Sequence, residues 1–339
     1  MGRAESSTSW PSMLSSPWSM AAGALGVSTS AVLIGISGAS PGTATLYRCA
    51  LAAVMLLPLV IYEWRREGAP TNRQRLYALA AGLLFAGDAL WWTQAIGEVG
   101  AGLSTVLVNA QVVIVPLLAL AVDREPISRR FLAVLPVMII GIVLTGGVLG
   151  EGAGGSRPLA GTVHALLAAA CYSGFLFLLR RGGSEGRIVQ TYQYVVLSAA
   201  LVSLGAGFLW NGMTLAPGWA RFGWLVLVAF GGQVAGWLLV ALATPRLPSE
   251  VGAALLMLTP IGALALGASV LGERPSPLQI TGCVAILGGA YFTSRRANRD
   301  RPETGRLTSL RQHLIWTHNG PEARSRPEPG RPRKDDHAS

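Results

Sequence analysis

The chain has 339 residues, of which 51% are hydrophobic and only 13% are charged. Soluble domains carry about a quarter charged residues, so this composition excludes an ordinary water-soluble fold and indicates an integral membrane protein. The net charge of +10 does not indicate nucleic-acid binding, because eleven of the 27 basic residues follow Ser294 and most others lie in short turns between apolar runs.

A helix that crosses the bilayer needs about 20 predominantly apolar residues, and ten runs near this length follow one another along the chain. They are residues 18–37, 42–62, 76–96, 102–122, 131–149, 159–179, 189–210, 222–244, 251–271 and 278–294. Short turns with glycine, proline and charge separate them. The predicted fold class is therefore an all-α integral membrane protein with ten transmembrane helices.

The turns also predict the orientation, because cytoplasmic loops carry an excess of arginine and lysine. With the N-terminus inside, the cytoplasmic segments before the tail hold twelve arginines, whereas the outer turns hold only Arg157, Arg221 and Arg274. Both termini, residues 1–17 and 295–339, are predicted to be cytoplasmic. The tail is too polar to fold and is predicted to be disordered, with a positive charge that attracts anionic lipid headgroups.

The two halves of the chain, residues 18–149 and 159–294, share short sequence matches that indicate an internal repeat. The matched positions are Glu125 with Glu273, Ser128 with Ser276 and Gly141 with Gly289 at an offset of 148, and Asp88 with Gln233 and Trp92 with Trp237 at an offset of 145. Five helices per half is an odd number, so the second half must be inserted upside down. Inverted repeats of this kind are typical of secondary transporters, whose substrate sites lie near the midplane between the halves.

Two segments carry a resemblance to a known family. The first runs from Gly100-Ala101-Gly102-Leu103-Ser104 through Asn109-Ala110-Gln111 to Glu125, and the second from Leu258-Thr259-Pro260 to Gly272-Glu273-Arg274-Pro275. They resemble the first-half and second-half signatures of the EamA family in the drug/metabolite transporter superfamily, over residues from about 20 to 295. The chain departs from that pattern at Arg124, where glycine is usual, and at Val112, which stands where the second half has Pro260. The resemblance implies a ten-helix transporter with two repeats.

Two charged side chains inside the apolar runs are the first candidates for a functional site. Burying the carboxylate of Asp88 costs about 2.5–3.5 kcal/mol on insertion scales, so the carboxylate needs a compensating role. We expect a proton or cation carrier, or a contact for a cationic substrate; a structural pairing is the alternative. Arg48 is a candidate for a cavity or an ion pair, and the two side chains can also pair with each other.

Several polar and aromatic side chains complete the candidate set. Asn109 and Gln111 are two residues apart, about 200° around a helix, so only one of them is expected to face a cavity. The other candidates are Trp92, Trp237 and Gln233 from the repeat match, and His164, the only histidine in the membrane part. Pro116 and Pro260 are predicted to kink their helices. No metal site or cofactor is predicted, because Cys49, Cys171 and Cys283 lack paired spacing.

The sequence thus predicts a secondary transporter that moves a small metabolite or drug-like solute by alternating access, with proton coupling through Asp88 as a further hypothesis. An intramembrane serine protease is the enzymatic alternative, because residues 35–38 resemble the rhomboid nucleophile motif around Ser37 and His164 is a candidate base. A channel, a lipid-handling protein or a membrane scaffold without transport activity also remain. The P-loop type of ATP-driven pump is excluded within this chain, because its only lysine is Lys334. Abundant arginine, alanine and glycine indicate a high-GC bacterial genome and a cytoplasmic-membrane location.

Overall fold

The computed structural model describes residues 17–124, 127, 129–146, 157–182, 187–210, 212–243 and 255–297, and all regular secondary structure in these residues is helical. The α-helices are α1 (Pro17–Ser37), α2 (Pro41–Glu67), α3 (Asn72–Val99), α4 (Ala101–Val108), α5 (Gln111–Asp123), α6 (Arg129–Thr145), α7 (Pro158–Gly182), α8 (Ile188–Leu209), α9 (Trp219–Leu227), α10 (Trp237–Ala243), α11 (Leu258–Val270) and α12 (Pro277–Ala297). A π-helix, Val228–Gly236, joins α9 to α10.

Each of the ten apolar runs coincides with helix in the described residues. Seven spans are long and apolar enough to cross a membrane, and three shorter apolar helices follow the same composition at Phe131–Thr145, Leu258–Val270 and Pro277–Phe292. The chain is thus a multi-pass helical membrane protein. The total of ten crossings stays a prediction, as does the disordered tail, since residues 1–16 and 298–339 lie outside the described part of the chain.

Two helices begin with a reciprocal capping arrangement that is legible in the sequence. At α3, the Gln74 backbone N–H donates to Thr71 Oγ1 over 3.2 Å, and the Thr71 backbone N–H donates to Gln74 Oε1 over 2.9 Å. Ser276 and Gln279 form the same pair of bonds at α12, 3.3 Å and 2.8 Å long. Each box satisfies two backbone N–H groups that would otherwise lack a partner at a helix start.

The fourth and ninth runs are interrupted at matching places. Between α4 and α5, Asn109 and Ala110 form a turn, and at the offset of 148 the turn at Met257 precedes α11. Pro116 lies inside α5, after the interruption, and a kink there stays a prediction. Pro260 is the third residue of α11, so it lies in the first turn, where a missing backbone N–H costs little; it is compatible with the start of a helix and need not bend one.

The packing between the two halves follows a twofold pattern. The largest interface joins α3 to α7, and α1 makes the corresponding interface with the eighth run, residues 219–243. The other pairs, α2 with α8 and α4 with α11, each join equivalent helices. So do α6 and α12, where a Cβ built on Gly141 would lie 3.0 Å from the carbonyl oxygen of Gly282. A rotation that exchanges the described helices of one half with the equivalent helices of the other maps this set of contacts onto itself.

Candidate functional site

Three side chains from three helices form a buried network at the contact between the halves. Arg48 of α2 donates from Nε and Nη2 to Gln233 Oε1 over 3.0 Å and 2.6 Å. Gln233 Nε2 donates to Tyr192 Oη over 2.5 Å, and Tyr192 Oη donates to the Gln233 backbone carbonyl over 3.2 Å. Arg48 is 6% exposed and Gln233 is 1% exposed. The network therefore connects the first half, through α2, to α8 and the π-helix of the second half.

The π-helix explains how Gln233 is presented to this network. Residues Val228–Gly236 adopt the wider helix, which is rare and often marks functional positions. Gly232 and Gly236 let α1 approach closely: a Cβ on Gly236 would lie 3.1 Å from the carbonyl oxygen of Gly23. This run of small residues lets the eighth helix pack tightly while the Gln233 amide turns toward Arg48.

The guanidinium of Arg48 keeps one nitrogen free. Its Nη1 atom is buried and has no hydrogen-bond partner in the described part of the chain. Two aromatic rings flank the cation, with the Phe85 centroid 5.6 Å and the Trp92 centroid 5.5 Å from Arg48 Cζ. Rings at this distance stabilise a desolvated cation through their quadrupoles. The site thus holds a positive charge, and the Nη1 nitrogen of Arg48 forms no hydrogen bond with the described residues.

Asp88 lies close to this cation but does not bind it. The two side chains interact electrostatically, yet no nitrogen–oxygen contact within 4.0 Å joins them. Within the described residues, no hydrogen bond to the Asp88 carboxylate is formed, although the residue is only 9% exposed. The direct pairing of Arg48 with Asp88 that the sequence allows is therefore absent, because Gln233 takes two of the donors of Arg48. Asp88 and Gln233, matched by the repeat, share Arg48 as a neighbour.

Aromatic side chains surround the two charged groups. Trp237 lies 6.2 Å from Tyr172 between ring centroids, and Tyr172 lies 5.7 Å from Phe175, which in turn lies 5.2 Å from Phe85. Trp92 completes the set through its contact with Arg48. Both tryptophans matched by the repeat, Trp92 and Trp237, thus belong to the aromatic side chains around Arg48 and Asp88.

The interruption in the fourth run separates Asn109, in the turn, from Gln111, the first residue of α5. Asn109 is buried and donates from Nδ2 to the Thr105 carbonyl of its own helix, 3.0 Å away. Gln111, the first residue of α5, has a buried Oε1 atom without a partner among the described residues. Gln111 is therefore the one of the two with an unused polar atom.

His164 belongs to a separate polar cluster near the C-terminal end of α3. Its Nδ1 atom lies 2.5 Å from Glu98 Oε2, and Gln94 Nε2 donates to Glu98 Oε1 over 2.8 Å. The imidazole stacks on Trp91 with ring centroids 5.0 Å apart. Glu98 lines a cavity of about 400 Å³ together with Thr93, Gln94 and Arg157 and the corner between α1 and α2. His164 is therefore not part of the Arg48 network and belongs to a separate polar cluster with Glu98 and Gln94.

Neither a metal centre nor the protease alternative gains support from the side-chain positions. In the ranges that the structure describes, no three acidic, histidine or cysteine side chains are grouped so that they could hold a metal ion. Ser37 donates from Oγ to the Ile34 carbonyl over 2.8 Å and accepts from the Ala39 backbone N–H. Its hydroxyl is thus occupied by its own turn, while His164 is paired with Glu98.

Sequence reasoning did not select Tyr192, Phe85 or Glu98. Tyrosine and phenylalanine in an apolar run look like ordinary core residues, and only the tertiary contacts give them a neighbour of interest. Glu98 lies two residues beyond the third apolar run, 76–96, whereas α3 continues to Val99 and buries it. The available signal was the carboxylate four residues after Gln94, the spacing of one helix face.

Comparison with known proteins gives the family. The description of the EamA-like transporter family matches residues 17–147 and 159–295. The chain belongs to the EamA-like transporter family. The resemblance drawn from residues 100–125 and 258–275 is thus confirmed. Members of this family are membrane transporters of small molecules and not enzymes.

No curated protein matches the chain. Among solved structures, 22 chains match. One of them, titled "Crystal structure of protein", is 17% identical, covers 85% of this chain and 99% of its own, and superposes with a TM-score of 0.55. At this identity the likeness supports the fold and nothing more about function.

The two segments that carry the family resemblance meet at the start of α4. Glu273 accepts from the backbone N–H groups of Ala101 and Gly102 over 2.5 Å and 3.0 Å. A carboxylate at this place satisfies unpaired N–H groups and complements the helix dipole. Gly100 has a φ of 93°, and a Cβ there would lie 2.8 Å from the Glu273 carboxylate. The glycines of one signature therefore make room for the glutamate of the other.

Proposed function

We propose that the protein is a secondary transporter that moves a small solute by alternating access, with its central site at Arg48, Asp88 and Gln233. The observation that carries this proposal is the buried contact of Arg48 with Gln233, which joins the first half to the second while Arg48 Nη1 and the Asp88 carboxylate stay unused. Buried charge in a membrane is costly and marks substrate or ion pathways.

The depth of these groups supports a central site. Arg48 lies seven residues into α2, about 10 Å along the helix, and Asp88 lies eleven residues before the end of α3, about 16 Å along it. Because these two helix ends lie on the same side, both groups lie well inside a hydrocarbon core about 30 Å thick. The substrate site of an inverted-repeat transporter is expected at this depth.

The interrupted fourth and ninth helices support the same reading. Discontinuous helices line the midplane site in several inverted-repeat transporters, where free backbone groups and helix ends contact the solute. Here both interruptions lie at equivalent positions, and Gln111 offers a buried oxygen directly after the first one. We assign Gln111, Trp92 and Trp237 to the lining of the path. Ten crossings with cytoplasmic termini in a bacterial cytoplasmic membrane complete the proposal.

The experiment is transport in proteoliposomes of the full chain, with solutes first selected by metabolite profiling of cells that overproduce or lack the protein. Arg48→Met and Gln233→Leu should each lower transport at least tenfold while the protein still inserts and purifies. Asp123→Asn is the matched control, because Asp123 is exposed at the other end of the bundle, paired with Arg181. Full transport by both site variants would contradict the proposal, and conductance far above carrier turnover in a planar bilayer would replace it by a channel.

Proton coupling through Asp88 is the finer part of the proposal. A carboxylate without a hydrogen bond, beside a fixed cation, is a group that can exchange a proton as the cavity fills and empties. Asp88→Asn keeps the shape and removes the titratable group. We expect this variant to lose transport driven by an imposed pH gradient but to retain downhill exchange. Gradient-driven transport at the wild-type rate in Asp88→Asn would refute proton coupling at this residue.

A further inference from the structure

A second polar site lies at the end of the bundle opposite the arginine-rich turns. The Glu98 carboxylate, 5% exposed, borders the cavity of about 400 Å³ and contacts His164 Nδ1 at 2.5 Å. Thr93 borders the same cavity, and its buried Oγ1 atom has no partner among the described residues. The site therefore combines a cavity bordered by α3 with the His164 imidazole of α7, which reaches it through its contact with Glu98.

The position of Glu98 makes the arrangement costly for stability alone. It lies in the last turn of α3, where the negative end of the helix dipole disfavours a carboxylate. Burial adds a desolvation penalty that a single partner rarely repays. Gln94 and His164 offset part of this cost by occupying one oxygen each. An alanine or leucine side chain would fill the space between α3 and α7 at a lower cost in folding free energy.

The twofold relation between the halves offers an internal comparison. A Cβ on Gly87 would lie 3.0 Å from Cys171 Sγ, and its repeat equivalent, Gly232, lies in the same way against Ser30. The first and sixth helices are therefore related by an offset of 141 positions, and the third and eighth by 145.

At these offsets the polar pair has an apolar counterpart. Glu98 corresponds to Ala243 and His164 corresponds to Gly23. Ala243 is buried against Met20 and Val240 in an apolar cluster. Among the described residues, the equivalent contact at the other end of the bundle is thus formed by apolar side chains. Packing does not require Glu98 and His164, and whatever they do is restricted to one end of the bundle.

We propose that the Glu98–His164 pair is a proton-binding site that opens on this cavity. With Glu98 as a carboxylate, the short contact places the first imidazole proton on Nδ1, so Nε2 is the atom that takes up a second proton from water. The ring is 22% exposed, which gives water access. Uptake forms an imidazolium that stays paired with Glu98 and adds one positive charge beside the cavity. Solutes that enter from this end then meet a charge that depends on the pH of that compartment.

Among the described residues, two other charged groups lie near the Glu98–His164 pair. Arg157, in the segment before α7, lines the same cavity as Glu98, and the Glu273 carboxylate binds the start of α4. In the described residues, α5, which also packs on α7, carries charge only at Asp123, at its far end. Arg157 and Glu98 offset each other in charge, so among the described lining residues and His164 the protonation state of His164 sets the net charge.

Trp91 provides a direct test, because its indole stacks on the His164 imidazole and a charged imidazolium quenches indole fluorescence. The full chain in lipid nanodiscs is titrated between about pH 5 and pH 8, the range in which histidine changes charge. We expect emission to fall reversibly as the pH falls. The change should disappear in Trp91→Phe and in His164→Gln, and it should persist in Trp64→Phe, which removes an exposed tryptophan at the opposite end.

Glu98→Gln is the second arm and does not depend on the folding of the His164 variant. It keeps the size of the side chain and removes the charge beside the ring, so the pH at which the fluorescence changes should differ from that of the wild type. A transition that is unchanged in Glu98→Gln, or that survives in His164→Gln, would overturn the proposal. No step of this test uses transport, so it can fail while the central transport site stands, and the converse also holds.

Discussion

The Arg48–Gln233 contact makes a quantitative prediction about stability that does not depend on knowing the substrate. Gln233→Leu removes the acceptor of two bonds from one buried guanidinium, and leaves Nε, Nη1 and Nη2 of Arg48 without a protein partner. Arg48→Met leaves the neutral Gln233 amide, which still bonds to Tyr192, and also removes the cation that interacts with the Asp88 carboxylate. The double variant removes both partners and keeps an apolar volume of similar size.

The magnitudes follow from the charge on the donor. Neutral hydrogen bonds between membrane helices are worth about 0.6 kcal/mol on average, whereas bonds to a charged group are worth about 1.5–3 kcal/mol. Stranding a buried charge costs more still, about 3–5 kcal/mol. We therefore expect Gln233→Leu to be destabilised by about 3 kcal/mol, and the double variant to be at least as stable as Gln233→Leu.

The assay is reversible unfolding in mixed micelles with increasing denaturing detergent, followed by far-UV circular dichroism. A double-mutant cycle on the four proteins gives the coupling energy, for which we expect about 1.5–3 kcal/mol. Gln193→Leu is a suitable comparison, because its amide is also buried but donates to a neutral carbonyl, that of Ala53, over 3.1 Å. A coupling energy below about 0.5 kcal/mol, or a Gln193 variant as unstable as the Gln233 variant, would refute the reasoning.

Two further predictions concern packing between the halves. Gly82→Ala should destabilise the protein by about 1–3 kcal/mol, because the new Cβ would lie 2.5 Å from the Val195 carbonyl oxygen. Gly205→Ala is the control: its Cβ would have nothing within 4 Å, so it should be neutral or stabilising by about 0.4–1 kcal/mol. Equal effects of the two variants on the unfolding midpoint would contradict the close approach of α3 and α8. Glu273→Ala should destabilise the protein by about 1–2 kcal/mol, because it leaves two backbone N–H donors of α4 without their acceptor. Glu273→Gln should destabilise it less, since one acceptor oxygen remains. The same detergent titration measures both variants, and a Glu273→Ala protein more stable than the wild type would show that the carboxylate does not cap α4.

Local patterns in the sequence were sufficient for the helices. Apolar runs of membrane length, the Thr71–Gln74 and Ser276–Gln279 spacings, and glycine after α3 each depend on residues within one or two turns, so they can be recognised without knowing the fold. The family resemblance adds the pairing of two halves. Pro260 shows the limit of such reasoning: a proline within a long apolar run predicts a kink, whereas in the structure Pro260 lies in the first turn of α11, directly after the interruption at Met257.

The sequence by itself determined that this chain is a helical membrane protein with two related halves, and it selected Arg48, Asp88, Gln233 and His164 as the polar groups worth following. Only the tertiary structure decided their partners. Arg48 binds Gln233 and not Asp88, and His164 binds Glu98, because contacts between residues 66 to 185 positions apart depend on how helices pack and rotate. Hydrophobic periodicity fixes where a helix lies along the chain, whereas the choice between two nearby partners for one guanidinium depends on its three-dimensional surroundings.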